Sequence, residues 1–210
     1  MKNFLLRLSS SLILAPIFLV AIYVNGFFFK FFLLFVAIFS FYEILANIKQ
    51  KTLVIFLFFL IFFFIIKFLE IRGDSYENFI TCIWLLFIVW LTDIGGYLVG
   101  KTFKGRSLSK YSPNKTMSGF FGSLLFSQFS ILVPIFFLEN YKINILIVFI
   151  QLFLSLICVA GDIFFSYLKR INNIKDYSNL IPGHGGVLDR IDGMIFVIII
   201  YYFISLKYAL

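Results

Sequence analysis

Apolar runs of about 20 residues recur from one end of this chain to the other, and that spacing decides its fold class. A run of that length matches the hydrocarbon thickness of a bilayer when it is helical. Seven such runs fall at about 8–24, 26–48, 52–70, 78–100, 118–138, 143–167 and 187–208. Asn25-Gly26 makes the first turn between runs, and Asn47 to Lys51 the second. A large soluble core is excluded, because only 13% of the 210 residues are charged and 62% are hydrophobic. So little polar surface cannot cover a water-soluble domain. The expected fold is all-α: a polytopic membrane protein with about seven transmembrane helices and a polar site facing the cytoplasm. The 32 phenylalanines fit lipid-facing positions, which accept any large apolar side chain. Lys2 and Arg7 precede the first run as in a signal peptide, but no A-x-A-like site follows it, so it reads as a membrane anchor. Cys82 and Cys158 lie inside apolar runs without metal-ligand spacing and read as small buried hydrophobes.

The loops carry charge unequally. Lys101, Lys104, Arg106, Lys110 and Lys115 fill the fourth loop without an acid, Lys169, Arg170 and Lys175 fill the sixth, and Lys49 and Lys51 mark the second. The loops between these are balanced or acidic, as at Glu70, Arg72, Asp74 and Glu77. Lys/Arg excess marks the cytoplasmic side. The N-terminus is therefore expected inside and the C-terminus outside, in the inner (plasma) membrane. This asymmetry accounts for most of the net charge of +8, and no nucleic-acid partner is expected.

Acids inside membrane spans cost roughly 2.5–3.5 kcal/mol each near a helix centre on insertion scales. Glu43, Asp93, Asp162, Asp189 and Asp192 are the candidates. Asp93 precedes Lys101 by eight residues and Asp162 precedes Lys169 by seven, which sets them about 12 and 10 Å below the basic loops. Asp189 and Asp192 share a face in the first turns of the last run. Tyr97 follows Asp93, and Ser166 follows Asp162, by one helical turn. Four carboxylates from three helices are thus expected at one level, where a shared cation relieves their repulsion. All-oxygen ligands suit Mg²⁺, which takes one or two carboxylates plus phosphates and waters. Asp93 reads equally as a polar contact between helices, Gly96-x-x-x-Gly100 as close helix packing, and the fourth-loop lysines as a topology signal. Gly119 and Ser123 also read as packing positions, and Glu43 as an interfacial residue.

The stretch 161–193, "GDIFFSYLKRINNIKDYSNLIPGHGGVLDRIDG", resembles the signature of the phosphatidate cytidylyltransferase (CDP-diacylglycerol synthase) family. The resemblance rests on Ser166, Lys169, Arg170, Lys175, Asp176, Pro182, Gly183, His184, Gly185, Gly186, Asp189, Arg190 and Asp192, with Gly161-Asp162 ahead of them. A second block, "LTDIGGYLVGKTFKG" and "SPNKTMSG", is similar to the family's other motif at Asp93, Gly95, Tyr97, Gly100, Ser112, Pro113, Lys115, Thr116 and Gly119. Phe165 and Ser118 stand where the family usually has acids, Asn114 replaces a usual lysine, and Met117 a usual tryptophan. Residues 1–77 carry hydrophobicity but no motif, so 78–210 is expected to be the catalytic region.

The resemblance implies transfer of CMP from CTP to phosphatidic acid, giving CDP-diacylglycerol and pyrophosphate in phospholipid biosynthesis. It implies Asp162, Asp189 and Asp192, joined by Asp93, as ligands of Mg²⁺, with a second cation as an option. Lys169, Arg170 and Arg190 would neutralise phosphate charge, with Lys115 and Lys175 nearer the loops. Gly183, Gly185 and Gly186 would let the backbone approach phosphate, His184 would orient a phosphate oxygen, and Ser112, Tyr97 and Ser166 would line the substrate site. The family also suggests a homodimer. The rival readings are a CTP-dependent polyprenol kinase, an ether-lipid cytidylyltransferase, and a membrane ion transporter built on the intramembrane acids. The D-G-x-x-A-R pattern of CDP-alcohol phosphotransferases does not fit, because Met194 and Ile195 follow Asp192-Gly193.

Overall fold

A computed structural model of the chain describes residues 2–139, 141–181 and 185–208, with side chains described for 13–139, 141–181 and 185–207. Each apolar run becomes a helical stretch. They are α1 (Lys2–Val24), α2 (Gly26–Asn47), α3 (Lys51–Arg72), α4 (Tyr76–Phe103), α5 (Met117–Ser127) continued by α6 (Leu132–Phe137), α7 (Ile145–Ile171) and α8 (Leu188–Tyr208). Among the described residues, five of these stretches are long and apolar enough to cross a membrane: α2, α3, α4, Met117–Phe137 and α7. The fold is therefore all-α and polytopic. The described apolar part of α1, Ile13–Val24, is shorter. Helix α8 carries Asp189, Arg190 and Asp192 in its first turns and Lys207 in its last.

Two features depart from a plain series of spans. Between α5 and α6 the chain tightens to a 3-10 turn at Gln128–Ile131. Gln151 of α7 lies beside Ser130 there, with side-chain polar atoms 2.6 Å apart, so the irregular backbone is covered by a polar partner as membrane depth demands. Between α4 and α5, the basic fourth loop forms a hairpin of β1 (Ser107–Ser109) and β2 (Ser112–Thr116), antiparallel, with Ser107 opposite Thr116 and Ser109 opposite Ser112. Lys104 (φ 52°) and Gly105 (φ 121°) turn the chain out of α4 into it. Strands this short and polar leave no alternating apolar pattern in the sequence, which is why only a loop is expected there.

Glycines set the closest helix contacts. A Cβ at Gly95 would lie 2.5 Å from the Gly122 carbonyl oxygen, and one at Gly119 2.6 Å from that of Gly96. Helices α4 and α5 therefore touch backbone to backbone, as small residues allow in membranes. Helices α7 and α8 meet at Gly161 and Gly193, where a Cβ at Gly161 would lie 3.3 Å from the Gly193 Cα. A polar chain crosses the same layer: Thr92 and Ser155 share a hydrogen bond (3.0 Å) and the Ser123 hydroxyl donates to the Thr92 carbonyl (2.8 Å). The outward faces present large apolar side chains such as Phe27, Phe59 and Phe136.

Candidate functional site

The Thr92–Ser155 bridge brings α4 and α7 to one place. Carboxylate oxygens of Asp93 (α4) and Asp162 (α7) and the Cys158 thiol lie within 4.8 Å of one another. Asp162 is buried, whereas Asp93 is exposed at the surface of α4. The Lys115 ammonium, held by β2, pairs directly with Asp162 Oδ2. Lys115 is placed by the next residue, since Thr116 Oγ1 accepts from the Gly119 amide (3.1 Å) and caps α5. The hairpin also docks on α7, where the Tyr111 carbonyl accepts from Arg170 Nε (3.4 Å) and the Tyr111 ring packs on Tyr167. Burial alone would lower the Lys115 pKa, but Asp162, Asp93 and Asp192 together outweigh it and hold the ammonium above the ordinary lysine value.

Asp189 forms a second centre two turns nearer the loop. Its Oδ1 accepts from Lys169 Nζ (2.7 Å) and its Oδ2 from the amides of Tyr177 (2.8 Å) and Gly186 (2.9 Å). Asp192 stands between the two centres, within electrostatic reach of Asp162, Asp93, Lys115 and Lys169. Arg190 is exposed and within such reach of Asp93. The four acids thus come together as two adjoining groups rather than one ring, because α7 and α8 run antiparallel. Gly193 faces Cys158 and Asp162, and Asp189 faces Lys169.

The remaining expected residues distribute around these centres. Ser166 is half-buried on α7, and Tyr97 is exposed with its hydroxyl accepting from Lys101 (3.2 Å). Ser112 opens β2, and Lys175 and Arg170 are exposed. Gly185 takes φ 86°, and Gly186 is pressed against a carboxylate. Pro182, Gly183 and His184 lie outside the described residues.

That carboxylate belongs to Glu43, one turn before the end of α2. Glu43 is fully buried, and its oxygens accept from Ser178 Oγ (2.6 Å), Val187 N (2.8 Å) and Leu188 N (2.8 Å). A stripe of Ser40, Glu43 and Asn47 on a helix otherwise apolar but for Lys30 and Tyr42 was the available signal, since i, i+3, i+7 positions share a face. Cys158 is a buried core residue, as its apolar run implies, and it also borders the site. Its i, i+4 spacing to Asp162 puts both on one face of α7.

Fold and site together define a helical membrane protein with paired acids and lysines gathered at one end of its bundle. A family model described as the Cytidylyltransferase family matches residues 46–207. The phosphatidate cytidylyltransferase of Rickettsia bellii (strain RML369-C) is 34% identical over 214 residues, covering 97% of this chain and 91% of that protein. The proteins of the same name from Rickettsia felis (strain ATCC VR-1525 / URRWXCal2) and Bacillus subtilis (strain 168) are 43% and 39% identical over 126 and 140 residues. Those alignments cover 57% and 65% of this chain and 56% and 51% of the relatives, so here the chain spans about half of each relative's length. The chain belongs to the cytidylyltransferase family.

Proposed function

We propose that this protein transfers CMP from CTP to phosphatidic acid, yielding CDP-diacylglycerol and pyrophosphate, at the cytoplasmic face of the plasma membrane and with seven spans. The observation that carries the reading is the meeting of Asp93, Asp162 and Lys115 where membrane helices reach a basic hairpin. One substrate has acyl chains and belongs in the bilayer, whereas the other is a soluble polyanion. The exposed side of Asp93 and the basic residues Lys101, Lys104, Arg106 and Lys110 that follow it at the end of α4 and in the fourth loop suit that border. The printed names of the relatives support the substrates, and the loop charges support the orientation. The homodimer comes from the family resemblance and is part of the proposal.

In the reaction, a phosphate oxygen of phosphatidate forms a bond to the α-phosphorus of CTP, and the bond from that phosphorus to the bridging oxygen of pyrophosphate breaks. The oxygens of Asp93 and Asp162 fit Mg²⁺, which accepts two carboxylates alongside phosphate. The Cys158 thiol is a soft donor and would not be a ligand of such an ion. Bound Mg²⁺ would supply charge neutralisation for the triphosphate. Lys115 and Arg190 meet phosphate oxygens from the loop side, and Asp192 completes the acidic wall. Asp189 orients Lys169 and joins a metal shell only by releasing it. His184 orients a phosphate oxygen. No general base is required, because a phosphate monoester is largely ionised at neutral pH.

Protein in lipid nanodiscs with labelled CTP, phosphatidate and Mg²⁺ should release pyrophosphate and form the liponucleotide. Release of CDP instead would make the protein a lipid kinase, and ion flux without CTP turnover would make it a transporter.

A further inference from the structure

We infer that Glu43 is a positioning residue for this site, holding Tyr177 and Ser178 against the start of α8 (residues 186–188); its role in turnover rests on the activity proposed above. Glu43 lies on α2, ahead of the matched family region 46–207, in the part of the chain without a motif. It is nevertheless completely buried and accepts three hydrogen bonds from residues 135 to 145 positions away. Two of those donors, Val187 N and Leu188 N, belong to the entry into α8. The first amides of a helix have no partner within it and carry partial positive charge, so a carboxylate satisfies them best. Such a cap usually comes from the residue just before the helix. Here it comes from another helix.

The fit is specific. A Cβ on Gly186 would stand 2.5 Å from Glu43 Oε1 and 2.6 Å from Oε2, so a side chain at Gly186 and the Glu43 carboxylate exclude each other. One turn further along α2, Asn47 Nδ2 donates to the Tyr177 carbonyl (2.6 Å). Helix α2 therefore grips both ends of the segment: Tyr177 and Ser178 at one, Val187 and Leu188 at the other. The gripped segment in turn supplies the amides of Tyr177 and Gly186 to Asp189, which orients Lys169. Asp192, within reach of Asp162, follows one turn along the same helix. Releasing Glu43 loosens that whole line while touching no reacting atom.

The experiment compares wild type, Glu43→Gln and Glu43→Asp in nanodiscs by amide hydrogen exchange and steady-state kinetics. In Glu43→Gln, exchange at 177–181 and 185–188 should speed by about tenfold or more while α3 (Lys51–Arg72) is unchanged. Its kcat should fall by about 10- to 100-fold, the scale for losing a supporting partner, with KM for CTP within about threefold. Glu43→Asp keeps the charge and should recover part of both. Wild-type kcat in Glu43→Gln overturns the inference, as does a fall in kcat without faster loop exchange. A uniform rise in exchange over all helices, with kcat lost only in proportion to folded protein, overturns it as well. Should Glu43→Gln fail to fold, Ser178→Ala removes one of the three donors and decides the matter, with loop exchange expected about 2- to 10-fold faster and no local change overturning the inference. If the wild type lacks CTP turnover, the proposed activity fails, while the exchange contrast still decides whether Glu43 holds the loop.

Discussion

Alanine at Gly193 should damage turnover far more than stability. Its Cβ would stand 2.7 Å from Asp162 Oδ1, 2.7 Å from Cys158 Sγ and 3.2 Å from the Cys158 carbonyl oxygen. Ordinary contact begins at 3.4 Å, so the Asp162 oxygen lies about 0.7 Å too close (2.7 against 3.4 Å). The carbonyl oxygen is backbone of α7 and cannot rotate away, and Asp162 is tethered by Lys115. Either α7 and α8 separate by several tenths of an ångström or the carboxylate turns out of its pairing. Overpacking of this kind costs about 1–3 kcal/mol, and alanine returns about 1 kcal/mol through its better helix propensity. The net loss of stability is therefore about 0–2 kcal/mol. A misplacement of about 1 Å at a reacting centre costs about 100-fold in rate, so kcat/KM should drop by about 10- to 100-fold. The assay is pyrophosphate release in nanodiscs, alongside a thermal melt. Adding Cys158→Ala removes one of the two closest contacts and should restore part of the rate. Wild-type turnover in Gly193→Ala would refute the close α7–α8 approach and the placing of Asp162 in the chemistry.

Two further outcomes follow from the same geometry. Because Lys115 is held above the ordinary lysine pKa of 10.5, its ion pair with Asp162 contributes fully below that value and fades as pH rises through the higher, folded one. The gap in melting temperature between wild type and Lys115→Met should stay constant from about pH 7 to about pH 10 and narrow above it; narrowing in the neutral range would contradict the pairing. Thr92→Val breaks the bridge from α4 to Ser155 and should cost about 0.6 kcal/mol, the average for polar contacts between membrane helices, read by unfolding in a mixed-micelle denaturant series.

The helices were legible because bilayer thickness sets a length that apolar runs reveal directly. Observed bounds such as Gly26–Asn47 and Ile145–Ile171 fall within a few residues of the runs. Asp93 and Asp162 were legible for a related reason: an acid in such a run is costly and needs a partner. What stayed hidden depended on who faces whom. Nothing local ties Glu43 to Val187 and Leu188, since the bonds exist only after α2 packs on α8. Asp189 shares a face with Asp192 in any helix, yet only the fold shows that Lys169 and two amides take up its oxygens. Cys158 is the buried apolar side chain its run implies, and only the fold shows that it lies beside Asp93 and Asp162. The hairpin escaped because its strands, Ser-Leu-Ser and Ser-Pro-Asn-Lys-Thr, are short and mostly polar.

Helix α4 has 28 residues, about 42 Å at 1.5 Å per residue, against a hydrocarbon slab about 30 Å thick. The surplus must be taken up by leaning or by standing proud of the slab, and the hairpin bearing Lys115 rides on its far end. Lys115 is nonetheless pinned to Asp162 of α7, so the pairing of two helices, and not the overhang of one, fixes its height.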